Sequence, residues 1–115
     1  MRLLNARTGS VVASDVEVAR SSAARRRGLL GRSGLPPGAA LMLTRCNAIH
    51  TLGMRFPIDV VFLDSSGRAR KIVPALPPWR MALSLGASSV IELAAGAVTA
   101  DLLREGDPVR FEESP

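Results

Sequence analysis

Short apolar runs separated by turn signals follow one another along the chain, and each run has the length of a β-strand. The clearest run covers residues 58–64, IDVVFLD, which are rich in β-branched residues and lie between Pro57 and Gly67. Residues 64–67, DSSG, predict a type I turn, because Asp is favoured at its first position and Gly at its fourth. Residues 68–73 are then predicted to return as the second arm of a hairpin.

Further strands are predicted at residues 3–4, 16–18, 40–43, 45–52, 88–93 and 109–111. Ser21 or Ser22 can cap a short helix through residues 23–27 that stops by Gly31, because a serine hydroxyl accepts from the free amides of the first turn. The Ala-rich residues 94–103 predict a second short helix, and three prolines exclude residues 74–80 from a strand ladder. Many short strands with turns between them are typical of a mainly β sandwich or barrel.

The 115 residues are enough for a single domain, residues 1–115. Hydrophobic residues make up 47% of the chain and charged residues 22%, which excludes a disordered protein. A core of this size does not need a metal ion or a disulfide to fold.

Fifteen basic and ten acidic residues give a net charge of +5, which suits nucleic acid, anionic lipid or an acidic ligand. The basic residues are spread along the chain. The aromatic residues are three Phe and one Trp, with no Tyr, so the alternation of cations and stacking rings that single-strand binders need is missing. The sequence therefore disfavours nucleic acid as a partner.

Cys46 is the only cysteine, so no internal disulfide can form, which fits a reducing compartment. The apolar runs are too short for a signal peptide or for a membrane-spanning helix. We therefore expect a cytoplasmic protein without a membrane span.

Cys46, His50 and Met54 are four residues apart, and all three side chains can bind soft or borderline metals. On a helix they would be about 6 Å apart, whereas on a strand they would be about 13 Å apart, too far for one ion. The Thr, Gly and Pro in this segment favour the strand, and the same separation disfavours a Cys–His nucleophile pair. We therefore expect no metal ion and no cofactor, with Cys46, Ala48, Leu52 and Met54 in the core and His50 held by a hydrogen bond.

Asp59 shares a strand face with Val61 and Leu63, where an isolated carboxylate is costly to bury. It therefore needs water or a partner, and either a structural ion pair or a binding role would supply one. The candidate partners are Arg45, His50, Arg55 and Arg80.

Trp79 and Arg80 follow two prolines on a stiff segment. The Trp79 ring can close one end of the core or serve as a ligand platform, and closing the core is the more common role. Arg80 can stack on a ring or form a bidentate contact with a carboxylate or phosphate. Residues 25–27, three consecutive arginines, are most simply a solvated helix face.

The chain resembles the family called domain of unknown function 192, which consists of uncharacterised bacterial and archaeal proteins. The resemblance lies in RGLLGR at 27–32, LP at 35–36, IHT at 49–51, MRFPIDVVFLD at 54–64, PWR at 78–80, VIEL at 90–93, AG at 95–96 and GD at 106–107. It implies a compact barrel-like β-sandwich of jelly-roll type with one or two short helices at its edges. It implies no activity, substrate or cofactor.

Three functions are compatible with these residues. The first is a small binding module for a polar or anionic small molecule, sugars included, in a cleft lined by His50, Arg55, Asp59, Trp79 and Arg80. The second is an enzyme that uses His50 and Asp59 as an acid–base pair. The third is a structural or protein-interaction domain with a basic surface.

Overall fold

Ten strands and one helix make up the computed structural model, which describes residues 1–114. The strands are β1 (Arg2–Asn5), β2 (Val11–Ala13), β3 (Asp15–Ala19), β4 (Ala39–Thr44), β5 (Ala48–His50), β6 (Ile58–Leu63), β7 (Ala69–Leu76), β8 (Met81–Leu83), β9 (Ser89–Ala94) and β10 (Val109–Glu112). The helix is α1 (Ser22–Arg27). The prediction of a mainly β protein with short peripheral helical structure is confirmed.

The strands form three sheets. The largest has the order β3-β4-β9-β6-β7, in which only the β3–β4 pair is parallel. A three-stranded sheet, β10-β1-β2, and a two-stranded sheet, β5-β8, complete the fold. Within residues 1–114 the large sheet keeps two edges, β3 and β7, and does not close into a barrel, while the jelly-roll description stays a prediction.

The two central strands of the large sheet are buried on both faces, as the apolar run at 58–64 predicts. Val61 and Leu63 of β6 pack into a cluster with Leu3 and Leu103 on one side of the sheet. Phe62 and its even-numbered neighbours on β6 pack on the other side. That second cluster contains Leu29 after α1, Ile49 of β5 and Ala82 of β8, together with Ile58, Val60, Phe62 and Val90 of the central strands. The sheet therefore separates two cores. The first core contains Val61 and Leu63, and the second core contains Phe62.

Three predicted elements differ from the structure. The strand predicted at residues 45–52 is limited to β5, because Arg45 lies in the left-handed region at φ 51° and the chain turns after Thr51. Residues 95–103 form consecutive turns instead of a helix, and Gly96 lies in the left-handed region at φ 87°. Strand β7 continues through Pro74 to Leu76, although the prolines predicted that the ladder would stop. Proline is tolerated there because β7 is an edge strand with an irregular register opposite Ile58 and Val60.

Asp107 joins the start of the chain to its end. Its carboxylate accepts from Arg7 Nε at 2.8 Å, from Asn5 Nδ2 at 2.9 Å and from the Arg104 amide at 2.9 Å. These donors hold the pKa of Asp107 well below its usual range.

Asp59 performs a similar structural task inside the first core. Its Oδ1 accepts from the Ala75 amide at 2.8 Å, and its Oδ2 accepts from the Val98 amide at 2.9 Å. The expected side-chain partners are therefore wrong, because backbone amides satisfy both oxygens of this carboxylate, which is only 1% exposed. Ala75 lies at φ 47°, so Asp59 holds both the strained end of β7 and the turns after β9.

The substitution Asp59→Asn tests this role. An amide can accept from one of the two backbone N–H groups but turns its own NH₂ toward the other. We expect the free energy of unfolding, measured by urea denaturation, to fall by about 2–4 kcal/mol. The matched control is Asp101→Asn on an exposed turn, which should stay within about 0.5 kcal/mol of the wild type. A value for Asp59→Asn as small as that of the control would contradict the role.

Candidate functional site

An open cavity of about 380 Å³ lies between α1, the segment that follows it, and β5. We call it the α1 cavity. Its walls are mostly apolar, and its polar lining comes from the α1 arginines and from His50 and Glu92. The complete lining consists of Ser22, Arg25, Arg26, Arg27, Gly28, Leu29, Leu30, Leu43, Cys46, Ala48, Ile49, His50, Leu52, Met54 and Glu92.

The sequence of α1 explains how the cavity is framed. Ser21 is the N-cap, and its Oγ accepts from the Ala24 amide at 3.0 Å, as the sequence predicts. Gly28 ends the helix at φ 49°, a backbone conformation that favours glycine. The chain then turns so that Leu29 enters the second core, only 2% exposed, while the arginines of the last helical turn remain along the cavity.

Glu92 is the unusual residue of this cavity. It lies in the middle of β9, where its register partners Val60 and Leu41 place it on the face that carries the second core. Its side chain is 3% exposed, and its Oε1 has no hydrogen-bond partner among the described residues. A Cβ at Gly28 would lie 3.7 Å from that oxygen, so the glycine backbone passes directly beside the carboxyl group.

Burial raises the pKa of Glu92 to about 7, and the positive charge of Arg32 opposes this rise only in part. Arg32 is itself paired with Glu17 at 2.9 Å. Near neutral pH the Glu92 carboxyl group is therefore present in both forms. It can donate a hydrogen bond when it is protonated and accept one when it is ionised.

Cys46, His50 and Met54, whose side chains were considered as metal ligands, all line the α1 cavity. Met54 is buried and Cys46 packs against the second core, whereas Ala48 and Leu52 are exposed, so their expected place in the core is wrong. His50 Nδ1 accepts from the Leu52 amide at 3.3 Å, which confirms a hydrogen bond to this ring. Within residues 1–114, no three His, Cys, Asp or Glu side chains come together as a metal site would require.

The other predicted site residues lie elsewhere. Asp59 faces the first core, across the sheet from His50, and the structure does not bring these two together. Arg55, Trp79 and Arg80 are exposed and do not line the α1 cavity. A ligand-binding role for these four residues stays a prediction. Trp79 is 64% exposed, so the expectation that its ring closes the core is wrong.

The acidic residues are distributed unevenly along the chain. Residues 18–91 contain 11 of the 15 basic residues but only 2 of the 10 acidic ones. Of these two, Asp59 is buried, and Asp64 accepts from the Ser66 and Arg68 amides of its turn. The α1 arginines and the β5-β8 sheet therefore belong to a basic stretch of the chain, and Glu92, just outside this stretch, is the acidic residue that lines the α1 cavity.

The family model of domain of unknown function 192, described as "Uncharacterized ACR", matches residues 3–111. The chain belongs to this family. The match covers nearly the whole chain and confirms the resemblance that the motifs indicate. No curated protein matches this member of the domain of unknown function 192 family.

Two solved structures are similar to this family member. One is a protein of unknown function from Novosphingobium aromaticivorans DSM 12444, with a TM-score of 0.81, 22% identity, and coverage of 96% of this chain and 82% of the other. The second, from Sinorhizobium meliloti 1021, is described as a "putative transcription regulator". Its TM-score is 0.80 and its identity 26%, over 95% of this chain and 89% of the other. These similarities support the fold.

Sequence reasoning missed Glu92 and the exposed side chains of β8. A signal existed for each. Glu92 is the only charged residue in the apolar run 88–95, SSVIELAA, and residues 81–85, MALSL, put large apolar side chains on alternate positions without a charge between them. The α1 cavity itself had no such signal, because its walls come from four separate segments.

The raised pKa of Glu92 predicts how stability depends on pH. The ordinary pKa is 4.5, so between pH 4.5 and about 7 the folded protein keeps a proton that the unfolded chain has lost. Stability therefore falls as the pH rises through this range, and the decrease that is due to Glu92 should reach about 3 kcal/mol.

The measurement is urea denaturation of the wild type and of Glu92→Gln across this pH range. The difference in the free energy of unfolding between the two proteins is taken at each pH. Other titrating groups, Asp107 included, contribute equally to both proteins and cancel. The wild type should lose stability relative to the variant as the pH rises. A difference that stays constant with pH would show that Glu92 titrates normally.

Proposed function

We propose that the protein is a binding module for a small amphipathic organic anion, which occupies the α1 cavity. The observation that carries this proposal is the unpartnered Glu92 carboxyl group, buried in an apolar cavity whose edge is lined by arginines. A buried carboxyl oxygen without a partner is costly, and a ligand that supplies a hydrogen-bonding group removes that cost. The cytoplasmic location expected from the single cysteine is part of the proposal.

The cavity has the size and lining that small-molecule sites favour. Its volume of about 380 Å³ lies in the ordinary range for such sites, and its apolar wall combines with few polar groups. Leu29, Leu43 and Met54 are buried and would contact the apolar body of the ligand. The bound molecule would therefore have a short hydrocarbon or ring portion.

The charge at the opening selects an anion. Arg26 and Arg27 are exposed and line the cavity, and their guanidinium groups have no hydrogen-bond or salt-bridge partner among residues 1–114. Arg25 is partly engaged, since it donates to the Arg20 carbonyl and to Ser22 Oγ. The two free guanidinium groups suit a carboxylate or phosphate, and protonated Glu92 can donate a hydrogen bond to the same anionic group.

Titration calorimetry with octanoate, octylamine and the sugar glucose tests the proposed class. We expect octanoate to bind and the other two compounds not to bind. Because ionised Glu92 opposes an anion, the affinity for octanoate should fall about tenfold between pH 6 and pH 8 in the wild type, and much less in Glu92→Gln.

The matched controls are two substitutions of exposed alanines by Phe. Ala48→Phe puts a ring into the cavity opening and should abolish binding, whereas Ala100→Phe, on an exposed turn that does not line the cavity, should bind like the wild type. The proposal fails if octylamine binds as tightly as octanoate, or if Ala48→Phe binds octanoate normally. It also fails if none of the carboxylates from butyrate to decanoate binds.

A further inference from the structure

Four large apolar side chains project from alternate positions of one segment. Trp79 is 64% exposed, Met81 70%, Leu83 48% and Leu85 81%. Met81 and Leu83 lie on one face of β8, and Ala82 between them points into the second core. Together with Arg70, Lys71 and Arg80, these four residues form what we call the Trp79 face.

The backbone conformation at Trp79 places its side chain in solvent. Trp79 lies at φ 65°, a conformation that costs energy for any residue with a side chain. Buried Thr51 holds this turn: its carbonyl accepts from the Trp79 amide at 3.0 Å, and its Oγ1 accepts from the Arg80 amide at 2.9 Å. The same hydroxyl donates to the Pro77 carbonyl at 2.7 Å. The ring is therefore held outward by Thr51, which is buried and whose hydroxyl group is hydrogen-bonded.

Three cations lie among these apolar side chains. Lys71 Nζ donates to the Leu83 carbonyl at 2.9 Å, and Arg80 donates to the Trp79 carbonyl at 3.3 Å. The Arg70 guanidinium group lies across Gly86, in the space that a Cβ there would occupy. Residues 65–91 contain no acidic residue, and the acidic residues beside this segment are Asp64 and Glu105, whose Oε2 accepts from the Ile72 amide at 2.9 Å.

We propose that the Trp79 face docks the protein on the surface of an anionic lipid bilayer. Exposed apolar side chains can enter the boundary between headgroups and acyl chains, while the neighbouring cations attract anionic headgroups. Trp is particularly suited to that boundary, because its ring is apolar and its N–H stays near the polar layer. This docking is peripheral, since residues 1–114 hold no helix with the length and hydropathy that a crossing requires.

The arrangement favours a bilayer over an acidic protein partner. A protein partner would have to offer pockets that match four separate projecting side chains. The four side chains instead project from a strand and its two flanking turns, with cations beside them. A fluid surface accepts such separate projections without matching pockets. The proposal does not depend on the ligand of the α1 cavity.

Trp79 makes the test direct, because it is the only tryptophan and the chain has no tyrosine. Its emission is followed while the full-length protein is titrated with phosphatidylcholine vesicles, with or without phosphatidylglycerol. We expect a shift to shorter wavelength with the anionic vesicles only, reversed by high salt. Sedimentation with the vesicles measures the bound fraction independently of fluorescence.

Variants separate the two contributions. Met81→Ser with Leu85→Ser should weaken binding to anionic vesicles by about tenfold or more, and Arg70→Gln with Lys71→Gln by a similar factor. The matched controls, exposed Val11→Ser for the apolar pair and exposed Arg110→Gln for the charged pair, should bind like the wild type. Glu92→Gln should also bind normally, which distinguishes a failure of docking from a failure of the proposed ligand site.

Three results would overturn the proposal. The first is no binding to anionic vesicles, or equal binding to neutral ones. The second is binding to soluble polyglutamate that matches binding to vesicles and survives the serine substitutions, which would indicate an acidic polymer or protein as the partner. The third is a concentration-dependent dimer that Met81→Ser dissociates, which would show that a second copy of the chain covers this face.

Discussion

Strands β6 and β9 are buried on both faces, and this constraint governs the rest of the molecule. A polar side chain on these strands is shielded from bulk water, so its burial is costly unless a hydrogen-bond partner is present. Asp59 and Glu92 differ in whether they have such a partner. Asp59 faces the first core and binds two backbone amides, whereas Glu92 faces the second core with an oxygen that no described residue satisfies. The fold explains the first carboxyl group, and the second is the basis of the proposed ligand site.

Backbone strain also distinguishes a feature that the fold explains from one that it does not. Ala75 and Trp79 both lie in the left-handed region, and each is held by a buried polar residue, Asp59 for Ala75 and Thr51 for Trp79. Ala75 lies near the end of the edge strand β7, where Asp59 holds the strained backbone in place. At Trp79 the strain leaves a large ring in solvent, where burial gains nothing for the folded chain. This costly conformation, which exposes an apolar ring, is one of the observations behind the proposed docking surface.

Local patterns in the sequence predicted much of the fold and little of the site. The apolar run at 58–64, the DSSG turn and the serine cap of α1 depend on neighbouring residues, and the structure confirms all three. The helix predicted at 94–103 is wrong. The alanine content of this run favours a helix, but Gly96 and the packing of Leu103 in the first core favour turns. The placement of Asp59 and Glu92 on opposite faces depends on strand pairing between residues more than 25 positions apart, which no local pattern contains.

The α1 cavity and the Trp79 face share the two-stranded β5-β8 sheet. The cross-strand pairs Ala48–Leu83 and His50–Met81 place cavity-lining residues of β5 beside the exposed side chains of β8. Exposed Leu30 and Leu52, which also line the cavity, extend the apolar surface around its opening. An amphipathic anion held at a bilayer surface would therefore meet arginines and apolar side chains along one continuous path toward Glu92. The same two-stranded sheet thus relates a docking surface to a binding cavity, although each rests on its own observations.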